Sequence, residues 1–109
     1  MSAVRVLFVT APDGTVARAI ARTLVEERLA ACVSTLPGVE SVYRWQGKIE
    51  EAREVLLVIK TVHERVPALM VRVKELHPYE VPEVIALPVE AALPAYAAWV
   101  LDATGHVVT

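Results

Sequence analysis

The sequence predicts an α+β fold: a ferredoxin-like split βαβ sandwich with an added C-terminal helix and a long hairpin between the second and third strands. Three observations carry this. Apolar spacing alternates between the two-residue and 3.6-residue periods in the order β-α-β-β-α-β-α. Pro, Gly and Asp cluster where the period changes. The chain has 109 residues and no linker, repeat or low-complexity stretch, so residues 1–109 read as one domain. Right-handed crossovers would put both main helices on one face of the sheet.

Val4–Val9 is a short β-branched run that reads as a buried strand. Ala11-Pro12-Asp13-Gly14 is a turn signal, with Asp13 or Thr15 placed to cap the helix that follows. From Val16 to Arg28, apolar Val16, Ile20 and Leu24 recur every four residues, while Arg22 and Glu26 can pair on another face. Ala31–Leu36 is a second apolar run. Pro37-Gly38 implies a kink there rather than a reversal, because extended chain resumes at Val39. Up to Trp45, residues Val39, Ser41, Tyr43 and Trp45 share one face, and Glu40, Val42 and Arg44 share the other. Gln46-Gly47 fits a hairpin turn, and the return strand runs from Ile49 to Thr61. A second helix spans His63 to Leu76, with Pro67 tolerable only in its first turn and Leu69, Met70, Val73 and Leu76 as its buried stripe. Pro78 ends it. A strand over Glu83–Pro88 follows, then a helix opening at Pro94. Tyr96, Trp99 and Val100 share a face of that helix, and Gly105 can cap its end.

The return strand sets a length problem. Thirteen residues at about 3.3 Å each span roughly 40 Å, against a diameter on the order of 35 Å for a compact domain of this size. The hairpin therefore protrudes, and its tip exposes Tyr43, Trp45 and Ile49 unless another subunit covers them. Apolar residues are 55% of the chain, above the usual 45–50% or so, and the surplus needs something to face. Both points predict a homo-oligomer. The chain also has no Asn, one Gln and seven Pro, a balance associated with thermophile proteins, so a thermostable protein is expected, melting above about 65 °C.

Composition excludes several function classes. A net charge of −2 argues against a nucleic-acid surface. No apolar run approaches the roughly 18 residues of a membrane span, and the opening MSAVRVLFVT lacks signal features. The expectation is a soluble, cytoplasmic protein with neither nucleic-acid nor membrane partners. Motifs for nucleophilic, phosphate-binding or metalloprotease chemistry are absent. The carboxylate pairs Glu26-Glu27 and Glu50-Glu51 are sequence neighbours, which diverge on a helix and alternate on a strand. No enzyme is expected.

Metal ligation has few candidates: Cys32, His63, His77 and His106, at spacings that match no chelating motif. Cys32 lies in an apolar stretch that suits a small buried hydrophobe. His63 falls near a helix start and should face solvent, and His106 lies in the terminal tail. His77 stands at a helix end before Pro78, where a ligand role and a cap on the helix dipole are equally open. The run His77-Pro78-Tyr79-Glu80-Val81-Pro82-Glu83 is a loop stiffened by two prolines that displays an imidazole, a phenol and carboxylates. With it, Trp45 and Lys60 could line an interface groove, or serve only as a plug and a snorkelling strand end.

These residues resemble a family. Leu29-Ala-Ala-Cys-Val33, Pro37 through Lys48, Ile59-Lys-Thr61 and Lys74 through Glu83 look like the CutA divalent-cation-tolerance proteins, as does Val9-Thr-Ala-Pro12. The resemblance covers nearly the whole chain, and Tyr-x-Trp-x-Gly-Lys and His-Pro-Tyr-Glu-x-Pro are its specific blocks. It implies a ferredoxin-like subunit in a tight, very stable homotrimer of PII-like architecture, with a role in tolerance of divalent cations and Cu(II) binding in some members. Some bacterial relatives carry a cysteine before Thr-Ala-Pro and two histidines before Pro-Tyr; here those positions are Val9 and Leu76-His77. His77 and the more general family cysteine, Cys32, are what carries over. The expected function is thus a trimeric protein binding copper or another divalent cation through His77 and Cys32. The alternative is a PII-like small-ligand sensor with an intersubunit cleft formed by Trp45, Lys60, Tyr79 and Glu80, joined by His77.

Overall fold

The computed structural model describes residues 2–105. The strands are β1 (Val4–Ala11), β2 (Cys32–Trp45), β3 (Lys48–Val62) and β4 (Val84–Pro88), and the helices are α1 (Gly14–Glu26), α2 (Val66–Leu76) and α3 (Pro94–Ala103). They form an antiparallel sheet in the order β2-β3-β1-β4, the ferredoxin-like topology. His106, a ligand candidate by residue type, lies outside the described residues.

Local chemistry accounts for the boundaries. Asp13 Oδ1 accepts the Val16 N–H at 2.9 Å, so α1 begins at Gly14, ahead of the first apolar residue of its stripe. It ends at Glu26 rather than Arg28 because Arg28 takes a left-handed φ of 59°. The Arg28 and Leu29 amides then turn back to the carbonyls of Val25 and Leu24. A left-handed arginine carries a steric cost that glycine does not. Arg28→Gly is therefore expected to raise stability by about 0.5–1 kcal/mol, read from the shift in chemical-denaturation midpoint; an unchanged midpoint would remove the strain argument.

Pro37-Gly38 kinks β2 without breaking it. The β2–β3 register slips between Leu36 and Val39, with Gly38 at φ 76°, so one extra residue is accommodated as a bulge. The turn Gln46-Gly47 has φ of 49° and 78°, both positive, as a two-residue turn matched to strand twist requires. Between bulge and turn the hairpin leaves the body of the molecule, whose extents are 52 × 26 × 22 Å. Tyr43, Trp45 and Ile49 are all exposed near its tip.

Two clusters hold the subunit together. Leu7, Val9, Leu57 and Ile59 on one sheet face meet Ile20 and Leu24 of α1 and Leu69 and Val73 of α2. Each such residue, fully buried, stabilises the fold by about 1.5–3 kcal/mol relative to exposure. The second cluster, Val4, Val62, Ala31 and Val100, fixes α3 over one end of the opposite face. Arg65 strengthens that docking by donating from Nε and Nη2 to the Thr104 carbonyl at 3.1 and 2.8 Å. Of the face expected on α3, Val100 is buried, whereas Tyr96 and Trp99 stack on each other at 5.7 Å and stay exposed. Beyond α3 the opposite face is open and apolar. Strand alternation places Val6, Phe8, Leu56 and Val58 on it, flanked by exposed Leu36, Ile85 and Leu87.

Candidate functional site

His77 ends α2 and begins the site. Pro78 excludes helical backbone from the residue before it, and His77 accordingly has ψ 135° while its amide still donates to the Val73 carbonyl at 2.9 Å. The imidazole turns inward and is 7% exposed. Its Nδ1 accepts the Tyr79 amide at 3.1 Å, so Nε2 carries the proton and donates to the Thr10 carbonyl at 2.7 Å. The ring thereby fastens the loop after α2 to the end of β1. The cap and the side chain act together, and both ring nitrogens are engaged within the subunit.

Tyr79, set by that clamp, lies 4.6 Å from the imidazole between ring centroids. Its hydroxyl donates to Glu54 Oε2 at 2.8 Å. Glu54, on β3 opposite Val39 just past the bulge, is 6% exposed. A chain of contacts Thr10–His77–Tyr79–Glu54 thus ties β1, the loop and β3 into one wall. That wall borders a cleft of about 590 Å³, closed on its other side by the hairpin residues Glu40 to Tyr43 and Trp45, with Val81 and Glu83 at the rim.

The Tyr79 phenol is pushed above its ordinary pKa of 10.0, first by burial and then by its hydrogen bond to Glu54. The folded state therefore holds this proton more tightly than the unfolded chain. The associated stability is complete below the unfolded phenol pKa near 10 and is lost as pH rises toward the folded one. In an alkaline absorbance titration compared with Tyr79→Phe, Tyr79 should ionise later than a free phenol. Glu54→Gln should bring it only part of the way back, because burial is the larger cause. Ionisation of Tyr79 at the free-phenol pH would contradict the geometry.

Comparison with known proteins places the chain. Residues 5–103 match the family model described as CutA1 divalent ion tolerance protein. The chain belongs to the CutA1 family. It is 51% identical over 100 residues to the divalent-cation tolerance protein CutA of Thermus thermophilus, across 92% of this chain and 97% of that one. It is 56% identical to mouse protein CutA over 92% of this chain, but spans only 56% of the mouse protein's length. The crystal structure of CutA from Xylella fastidiosa superposes with a TM-score of 0.92 at 50% identity, covering 94% of this chain and 99% of that one.

Within this CutA-family subunit the expected ligands do not converge. Cys32, half-buried, pairs with Lys60 and so lies level with Val6 of β1, four residues or roughly 13 Å along the strand from Thr10 and His77. Among the described residues no three His, Cys, Asp or Glu side chains are grouped to hold a metal ion. His63 is exposed, its Nδ1 3.5 Å from Arg5 Nη2. Of the four residues expected at an intersubunit cleft, two line this cleft within one subunit and two lie outside it. Trp45 and Tyr79 line it, but Lys60 is held at the far end of β3, where Nζ donates to Ser34 Oγ at 3.1 Å and to the Val58 carbonyl at 3.2 Å. Glu80 is exposed and outside the lining, and its carbonyl is taken by Lys74 Nζ. Glu54 and Thr10 are the members that sequence reasoning missed. Glu54 shares the pleat phase of Leu56 and Val58, and a carboxylate beginning an apolar row was the signal available.

Proposed function

We propose that this chain acts as a cytoplasmic homotrimer that binds divalent cations, Cu(II) foremost, and contributes to metal-ion tolerance without catalysing a reaction. Family membership is the observation that carries the cation role. Self-association is supported by the open apolar sheet face, which leaves Leu36, Ile85 and Leu87 between 43% and 49% exposed in the lone subunit. A single unpaired cysteine suits a reducing compartment. Because the described residues of one subunit gather no ligand set, the cation site would be assembled from more than one subunit. For His77 to join it, the metal would take Nδ1 from the Tyr79 amide. Native mass spectrometry of metal-stripped protein, with and without stoichiometric Cu(II), tests this directly. The expected result is a trimer gaining a fixed number of copper ions. A monomer, or a graded copper ladder on any species, would overturn it.

A second reading, a PII-like small-ligand sensor, is favoured by the cleft itself. Its volume falls within the roughly 300–1,000 Å³ of small-molecule sites, and one wall is pre-organised by the His77 clamp.

A further inference from the structure

The cleft beneath the hairpin is acidic and aromatic at once. Glu54 and Glu83 supply two carboxylates, Tyr43, Trp45 and Tyr79 supply rings, and none of the lining residues is cationic; Glu40 belongs to the other hairpin face, opposite Arg53. We propose that it binds an organic ammonium ion, an aliphatic amine whose cationic head meets Glu54 and whose carbon body lies along the rings. This rests on the small-ligand reading of the cleft and is independent of copper.

Glu54 is the centre of the case. It is a carboxylate with 6% exposure, and the one hydrogen bond it receives from the described residues is from Tyr79 to Oε2. No fully buried side-chain oxygen among the described residues lacks a partner, so Oε1, which receives no hydrogen bond from them, keeps contact with solvent, and Glu54 lines the cleft. A carboxylate oxygen that its own subunit leaves to solvent can accept a donor from outside, and an N⁺–H donor gives the stronger bond. The sign of the ligand follows from the lining. Two carboxylates with no cation among the lining residues repel an anion and attract a cation.

Size and chemistry separate an amine from a bare ion. A divalent ion needs several oxygens converging within about 2.0–2.6 Å, and the described residues hold no such grouping. Carboxylates spread around about 590 Å³ instead suit a ligand with length. The rings of Trp45 and Tyr43 attract an organic cation through their faces, and the side chain of Val81 at the rim shields its methylenes from water. A fully hydrated metal ion would gain nothing from either.

The test is calorimetric titration of chelator-treated protein with 1,4-diaminobutane, at fixed ionic strength, beside adipate and Mn²⁺ as probes of opposite sign and of opposite size. Saturable binding of the diamine alone is expected. Glu54→Gln, which keeps an acceptor for Tyr79, should weaken it about tenfold or more. Trp45→Leu, at the exposed hairpin tip, should weaken it severalfold while circular dichroism stays unchanged. The proposal is overturned by absence of saturable diamine binding, as when a second copy of the hairpin fills the cleft. Equal uptake of adipate, displacement of the diamine by stoichiometric Mn²⁺, or an affinity indifferent to both variants would also overturn it. Loss of copper binding leaves the diamine result untouched, so the two readings fail separately.

Discussion

Metal-free protein carrying His77→Ala should melt on the order of 15 °C below the parent, a loss of about 3 kcal/mol per subunit. Three effects add in one direction. The nearly buried ring leaves a cavity. The Thr10 carbonyl loses its donor and the Tyr79 amide loses its acceptor. Each buried group left unpaired costs roughly 1–3 kcal/mol, and the loop that carries Tyr79 is released from β1. Tyr79 should then ionise at lower pH than in the parent, because burial is the main cause of its raised pKa. Differential scanning calorimetry in the presence of a chelator checks the first effect and alkaline titration the second. If His77→Ala leaves metal-free melting unchanged but abolishes copper uptake, the imidazole is a ligand and the clamp is incidental.

If the proposed homotrimer closes over the open sheet face, Ile85→Glu should convert it to free subunits of 11.9 kDa while leaving each one folded. Ile85 lies on edge strand β4 and is 49% exposed, so in a lone subunit a glutamate there can remain in water at little cost. In an oligomer that closes the open face, three such carboxylates would be buried without partners, at several kcal/mol each. Light scattering and far-ultraviolet circular dichroism on the same sample separate the outcomes. A variant that keeps the parent mass would show that this face is not the interface.

The cleft was legible in pieces. Trp45 and Tyr79 could be chosen from sequence because the hairpin and the proline-stiffened loop each announce themselves locally. Within one subunit, strand register puts Lys60 level with Cys32 and Val6, away from Thr10. Register is a property of paired strands, and the Pro37-Gly38 bulge shifts it by one residue. No spacing along one strand could have foretold which residue would face Tyr79. Glu54 was missed for that reason. Cys32 and His77 likewise share a chemistry but not a location.

Sequence alone determined which elements form, their order and the alternation of the strand faces. Those depend on periodicities and caps that act within a few residues, as with Asp13 at the start of α1, Gln46-Gly47 at the turn and Pro78 after α2. It also determined that the hairpin would outreach the body, since strand length and domain diameter are both set by chain length. Tertiary structure alone decided the role of His77. Whether an imidazole offers a lone pair or spends it depends on which backbone groups approach it. Here the Thr10 carbonyl, 67 residues away in the chain, and the Tyr79 amide take both nitrogens. The partnership of Tyr79 and Glu54 has the same origin: burial and hydrogen bonding between distant segments exist only once the sheet has closed.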